Sequence, residues 1–293
     1  MSWYKEYKKS LKMTEIEEFF DLVFYRPLAL LVVKIVYPTN ITPNQLTITA
    51  IFIGLASGIV YATGLPHAAV YGALLFMLYN IFDCSDGQLA RLKKNGTHVG
   101  RIIDGIADYI STAAVFVGLG LGYYDHSYSY SMWWTLLIIA AASNVVQSAL
   151  VDYYRNRFLD YVLQRKSTFE EDMESFREEY RSLEGKKNVW LDRWIIRSYF
   201  RYSAMQEKLT TKKKGDKLFK ATPEEYYKKN KLTARLWVNI GPTAQITAIM
   251  LCSAFNRFDI YFWVIIGLFN LIAITTWIMQ RAIDKTFKPT TIA

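Results

Sequence analysis

Asp83-Cys-Ser-Asp86-Gly-Gln-Leu-Ala-Arg91, then eight residues, then Gly100-Arg-Ile-Ile-Asp104-Gly-Ile-Ala-Asp108, place four carboxylates in sequence otherwise apolar enough to lie in a membrane. Charges there are costly and usually functional. On helices, Asp83 and Asp86 are i,i+3 neighbours and Asp104 and Asp108 are i,i+4 neighbours, so each pair shares a face. The polar turn Lys93-Lys94-Asn95-Gly96-Thr97 separates them, with Gly96 as the stop signal. Folding the chain there brings Asp83 opposite Asp108 and Asp86 opposite Asp104, and so all four acids to one level.

Four carboxylates cannot all carry charge unaided in a low dielectric. Two divalent cations would balance them, and all-oxygen ligation favours Mg²⁺, Mn²⁺ or Ca²⁺ over zinc or copper. A metal pair of this kind clamps attacking and leaving oxygens in a phosphoryl displacement. Gly87, Ala90 and Arg91 follow Asp83 on its own face. The two small residues leave room for a bulky ligand, and Arg91 offers a bidentate contact to phosphate.

The pattern Asp83-x2-Asp86-Gly87-x2-Ala90-Arg91-x8-Gly100-x3-Asp104-x3-Asp108 resembles the CDP-alcohol phosphotransferase signature at every specified position. A chance match to eight fixed positions somewhere in this chain is on the order of 10⁻⁷. The resemblance implies transfer of a substituted phosphoryl group from a CDP-linked donor to an alcohol acceptor, with release of CMP. It implies Asp83, Asp86 and Asp104 as the main ligands of two Mg²⁺ or Mn²⁺ ions. Asp108 would be the general base, touching a metal as well. Gly87, Ala90, Arg91 and Gly100 would line the nucleotide–diphosphate pocket, and a homodimer is expected on the same ground.

The chain of 293 residues is 52% hydrophobic, divided between apolar runs and one long charged stretch. A span needs about 20 apolar residues. Six candidates occur, near 43–63, 68–92, 99–123, 132–154, 236–255 and 259–280. The expected fold is an all-α integral membrane protein with six transmembrane helices, an N-terminal amphipathic interfacial helix and a helical cytoplasmic insertion between spans 4 and 5. Its divisions are a cytoplasmic N-terminus at 1–42, spans 1–4 with the acidic hairpin 83–108 at 43–154, the insertion at 155–235, and spans 5–6 with a tail at 236–293. Met1–Lys12 is polar and does not read as a signal peptide.

Net charge is +9, and of 35 Lys and Arg only Arg257 falls on the side opposite the termini. The positive-inside rule makes the crowded side cytoplasmic, in a bacterial inner membrane or an ER-type membrane, with the active site facing the cytoplasm. The basic excess thus addresses membrane lipids, and no nucleic-acid module is visible. Cys84 and Cys252 lie at opposite depths and are not expected to pair.

Residues 14–37 begin polar on one side, with Thr14 and Glu17 fitting a capping box. Pro27 argues against an uninterrupted span, so the segment reads as interfacial, a seventh span being the competitor. Thr42 with Pro43 opens the first span, and the neighbouring Asn44 is a candidate contact to the cytidine or its ribose. Gly54 and Gly58 form a GxxxG suited to close helix packing. Asn144, Gln147, Ser148, Asp152 and Arg155 make a stripe on the fourth span, either hydrogen-bond glue between helices or the wall of a polar acceptor pocket.

Within the insertion, Thr168 with Glu171 and Thr222-Pro223 are helix starts. Trp190, Leu191, Trp194, Ile195, Tyr199 and Tyr202 form an apolar stripe, with Arg193, Arg197 and Arg201 on another face, as suits a lipid interface. Lys212–Lys214 reads as polybasic loop. Tyr123, Tyr124, Trp133, Trp134, Tyr261 and Trp263 read as interfacial anchors.

The donor is expected to be CDP-diacylglycerol, giving phosphatidyl to a polar alcohol. The reverse assignment, a CDP-polar alcohol of the choline or ethanolamine type giving its headgroup to a lipid alcohol, shares the signature. From another class, a cation or proton transporter would also place carboxylates inside the membrane.

Overall fold

The computed structural model describes residues 7, 11, 13, 16–122, 128–164, 177–178, 180–181, 197 and 219–289. The readings for Thr14, Tyr123 and Tyr124, Thr168–Glu171, the 190–202 stripe with Arg193 and Arg201, and Lys212–Lys214 lie outside these residues. The described chain is helical apart from a two-residue antiparallel pairing of Phe219–Lys220 with Lys288–Pro289.

A π-helical turn, Asp21–Tyr25, leads into α1, Arg26–Val36. Then come α2 (Pro43–Ala62), α3 (Ala68–Lys93), α4 (His98–Gly122) and α5 (Tyr130–Val162). Further along the described chain come α6 (Pro223–Val238), most of it within the stretch expected as the insertion, then α7 (Pro242–Ala254) and α8 (Phe258–Asp284). Among the described residues, five helices are long and apolar enough to cross a membrane: α2, α3, α4 from Ile102, α5 and α8. Side chains such as Phe52, Ile59, Leu121 and Ile138 stand exposed along them, where acyl chains would surround the bundle.

The starts legible in the sequence form as expected. Thr42 Oγ1 accepts from Gln45 N while Gln45 Oε1 accepts from Thr42 N at 3.0 Å, a complete capping box with Pro43 at the first helical position. Thr222 Oγ1 caps α6 by accepting from Glu225 N at 3.2 Å. The end of α3 differs: the left-handed residue is Lys94, with φ 53°, two positions before Gly96. Its N–H still reaches Ala90 O, closing the helix.

The region expected to be one span at 236–255 is two helices. α6 stops at Val238, residues 239–241 turn the chain, and Pro242 opens α7. Pro242 lacks the N–H that a continuous helix would use. The orphan amides of α7's first turn are taken by a distant carboxylate: Glu18 accepts from Thr243 N at 3.2 Å and Ala244 N at 2.8 Å. Asp21 accepts from Thr243 Oγ1 at 3.1 Å, and Arg26 pairs with Glu17 at 2.7 Å. The N-terminal segment is therefore bolted to α7 through buried polar groups.

α3 and α4 both lean on α2 and scarcely touch each other. Glycine permits the closeness of α2 and α4: a Cβ on Gly58 would stand 2.5 Å from the Ala114 carbonyl oxygen. The GxxxG therefore packs as the sequence suggested. α7 packs on α3, while α6 packs on α5 and α8. An aromatic core of Trp133, Phe258, Tyr261 and Phe262 joins α5 to α8. Trp133 and Tyr261 are wholly buried, which corrects their reading as interfacial anchors. Burial is tolerable because Trp133 Nε1 donates to Leu119 O at 3.3 Å and Tyr261 Oη accepts from Asn144 at 3.4 Å. Cys84 and Cys252 are both free.

Candidate active site

Because α3 and α4 share α2 as a backing, their acid-bearing faces meet across a gap. Asp83 and Asp86 from α3 and Asp104 from α4 present carboxylate oxygens within 4.8 Å of one another. Asp83 Oδ1 is buried and receives no hydrogen bond. Asp86 accepts a short hydrogen bond from the Thr47 hydroxyl of α2. Asp108, one turn deeper on α4, is held differently: its Oδ1 accepts from Tyr79 Oη at 2.6 Å. Three acids thus converge, and the fourth stands beside them on a phenol.

A hard divalent cation fits these residues. The convergent donors are all oxygens, they come from two helices, and the buried, unbonded Asp83 Oδ1 is an acceptor that a cation would satisfy.

On the turn side of the acids, a cavity of about 80 Å³ is lined by Asn44, Thr47, Asp86, Gly87, Ala90, Gly100 and Asp104, among others. The structure therefore brings Asn44, Gly87, Ala90 and Gly100 together as the sequence reading required. Gly100 cannot carry a side chain without displacing Asn44, whose Oδ1 is 2.6 Å from the place of a Cβ. Arg91 lies alongside Gly87, its guanidinium 3.4 Å from the Cβ position there. It borders this cavity without lining it.

On the opposite side, Asp108 opens onto a second cavity, of about 150 Å³, between α3, α4, α5 and α7. Of the polar stripe on α5, Asn144, Ser148 and Asp152 line it. Gln147 points elsewhere, donating to Ile265 O at 3.0 Å and Asn270 Oδ1 at 2.8 Å. The stripe is glue at Gln147, wall at Asp152, and both at Asn144 and Ser148, which line the cavity and also donate to Tyr261 of α8 and Gln245 of α7. Arg155 is paired with Asp152 at 2.5 Å.

Two partners of the acids escaped the sequence reading. Tyr79 precedes Asp83 by four residues and so shares its face, a signal that was available. Thr47, as a lone hydroxyl on an apolar span, carries no signal until α2 is placed against α3.

Residues 40–164 match the family described as CDP-alcohol phosphatidyltransferase. The matched stretch contains every acid, glycine and cavity residue of α2–α4 named above. The phosphatidylinositol phosphate synthase of Corynebacterium glutamicum is 28% identical over 143 residues, 49% of this chain and 57% of the relative. That of Mycobacterium marinum is 29% identical over 126 residues, 40% of this chain and 47% of the relative. The bifunctional IPC transferase and DIPP synthase of Thermococcus kodakarensis is 29% identical over 119 residues, 41% of this chain and 26% of the relative. The chain spans about half the length of the phosphatidylinositol phosphate synthases it matches. With five helices among the described residues long and apolar enough to cross a membrane, four of them within the matched stretch, the protein is an integral membrane protein.

Proposed function

We propose that the protein is a CDP-alcohol phosphotransferase of phospholipid synthesis, moving phosphatidyl from CDP-diacylglycerol to an alcohol hydroxyl and releasing CMP. One observation carries this reading: three carboxylates converge while the fourth is set apart on Tyr79, facing its own cavity. That arrangement separates holding a cation from taking a proton.

Asp83, Asp86 and Asp104 would hold Mg²⁺ or Mn²⁺ in a two-ion site, with Asp108 at its edge. When bound, the ions supply charge neutralisation for the donor diphosphate. Asn44, Gly87, Ala90 and Gly100 receive the cytidine and diphosphate in the cavity by the turn, with Arg91 at its border. Tyr79 fixes Asp108 through Oδ1, which leaves Oδ2 to accept the proton of the acceptor hydroxyl. The hydroxyl oxygen forms the new bond to the distal phosphorus, and the bond from that phosphorus to CMP breaks.

In this reading α7, whose 13 residues rise about 20 Å, is the core of a short fifth span, giving six. The segment before α2 lies on the membrane surface. Both termini and the active site face the cytoplasm, as the placement of Lys and Arg supports. A homodimer follows from the family alone.

CMP release by the purified protein, from CDP-diacylglycerol with a panel of alcohols, tests the reading. A transporter would release none. Asp108→Asn should abolish transfer while CDP-donor binding persists, and turnover near wild type would remove Asp108 from the base role. EDTA should stop the reaction and Mg²⁺ or Mn²⁺ restore it; activity that survives chelation would refute the cation site.

A further inference from the structure

The cavity beyond Asp108 has a composition that selects among acceptors. Its polar wall is the α5 stripe, with Asn144 and Ser148 on successive turns, and Gln245 of α7 facing them. Ser148 Oγ donates to Gln245 Oε1 at 3.2 Å, and Gln245 Nε2 is spent on Gln147 Oε1 and Ile240 O, both at 3.1 Å. Asn144 is 8% exposed, and its Oδ1 has no hydrogen-bond partner. A buried amide oxygen left in this state costs about 1–3 kcal/mol unless a donor arrives. Across from it, Phe76, Phe116, Ile246 and Ile249 make an apolar wall.

The charges are equally specific. The described lining contains two carboxylates, Asp108 and Asp152, and no Lys, Arg or His. Arg155, one turn beyond Asp152, is already engaged by it at 2.5 Å. A phosphate ester entering here would meet two carboxylates, and the cation nearest the wall, Arg155, is already held by one of them. A volume of about 150 Å³ holds roughly ten non-hydrogen atoms, at the space a buried water requires.

We propose that this cavity, on the assignment of Asp108 as base made above, binds a small uncharged polyol as acceptor, that Asn144 receives one of its hydroxyls, and that Asp152 excludes phosphorylated acceptors. The synthase relatives are named for a phosphatidylinositol phosphate product. The present cavity points instead to direct use of the unphosphorylated alcohol. Rejection here works by a repulsive element as well as a fitted one.

The experiment measures CMP release by the full-length purified protein from CDP-diacylglycerol, with myo-inositol and glycerol against inositol phosphate and glycerol phosphate. The expected kcat/KM for the uncharged alcohols exceeds that for the phosphorylated ones by at least about 100-fold, as like-charge contacts predict. Asn144→Leu should raise the acceptor KM about tenfold or more and leave the CDP-diacylglycerol KM unchanged. Asp152→Asn, a change at an exposed side chain, frees Arg155 and should improve phosphorylated acceptors selectively. It keeps the test open even where Asn144→Leu does not fold. Preference for phosphorylated acceptors, or for diacylglycerol with a CDP-alcohol donor, would overturn the proposal while leaving the phosphotransferase reading intact. So would an Asp152→Asn protein of unaltered acceptor preference. Release of no CMP with any donor or acceptor would overturn both.

Discussion

Gly58→Ala should cripple catalysis from outside the site. An added Cβ would stand 2.5 Å from the Ala114 carbonyl oxygen, 2.6 Å from its carbon and 2.8 Å from the Ala114 Cβ. Non-bonded carbons settle near 3.5–4.0 Å, so α4 must withdraw from α2 by about 1 Å. No flexible side chain can yield instead, because the obstacle is backbone. Overpacking of this kind costs about 1–3 kcal/mol of stability. The site feels it because α4 carries Asp104 and Asp108, whereas Asp83 and Asp86 are on α3, backed independently by α2. Asp108 lies six residues from Ala114, about 9 Å along the helix, within the displaced stretch. Misplacing a reacting group by 1 Å costs about 10²-fold in rate. The assay pairs CMP release at saturating substrates with thermal unfolding in detergent. Gly267→Ala is the control, since a Cβ there meets only a Trp263 ring carbon at 3.9 Å. A Gly58→Ala protein with wild-type kcat and unchanged melting temperature would refute the idea that this contact sets the spacing of the acids.

Thr47→Val keeps the shape of the side chain but removes the hydroxyl that donates to Asp86. It should raise the Mg²⁺ concentration for half-maximal activity by about 10–100-fold, and an unchanged metal titration would show that the bond does not orient Asp86. Glu18→Gln tests the bolt on α7. Burial pushes the Glu18 carboxyl up to about 8, with Asp21 beside it acting in the same direction. The folded protein therefore holds a proton that the unfolded chain has released above the ordinary carboxylate range, so stability falls as pH rises through that window towards 8. The melting temperature of wild type should drop between pH 5.5 and 8.5, and Glu18→Gln should flatten the slope. Asp21, also raised by burial, would keep a remainder of it. Equal slopes in the two proteins would remove Glu18 as the titrating group.

The sequence by itself determined what depends on neighbours a few residues apart. The helical pairing of Asp83 with Asp86 and of Asp104 with Asp108 follows from i,i+3 and i,i+4 spacing, and the starts at Thr42 and Thr222 from local capping. Apolar length located four of the spans to within a few residues, with α5 running longer, to Val162. Tertiary structure decided the rest. Which acid stands apart could not be read, because Tyr79 binds Asp108 across the gap between α3 and α4. Thr47 meets Asp86 only once α2 backs α3. The break before α7 shows as Gly241-Pro242 in the chain, yet what satisfies its amides is Glu18, 225 and 226 residues away. Hydropathy measures how gladly a segment leaves water, but it is blind to which buried polar groups find each other, and those pairings set the shape of both cavities.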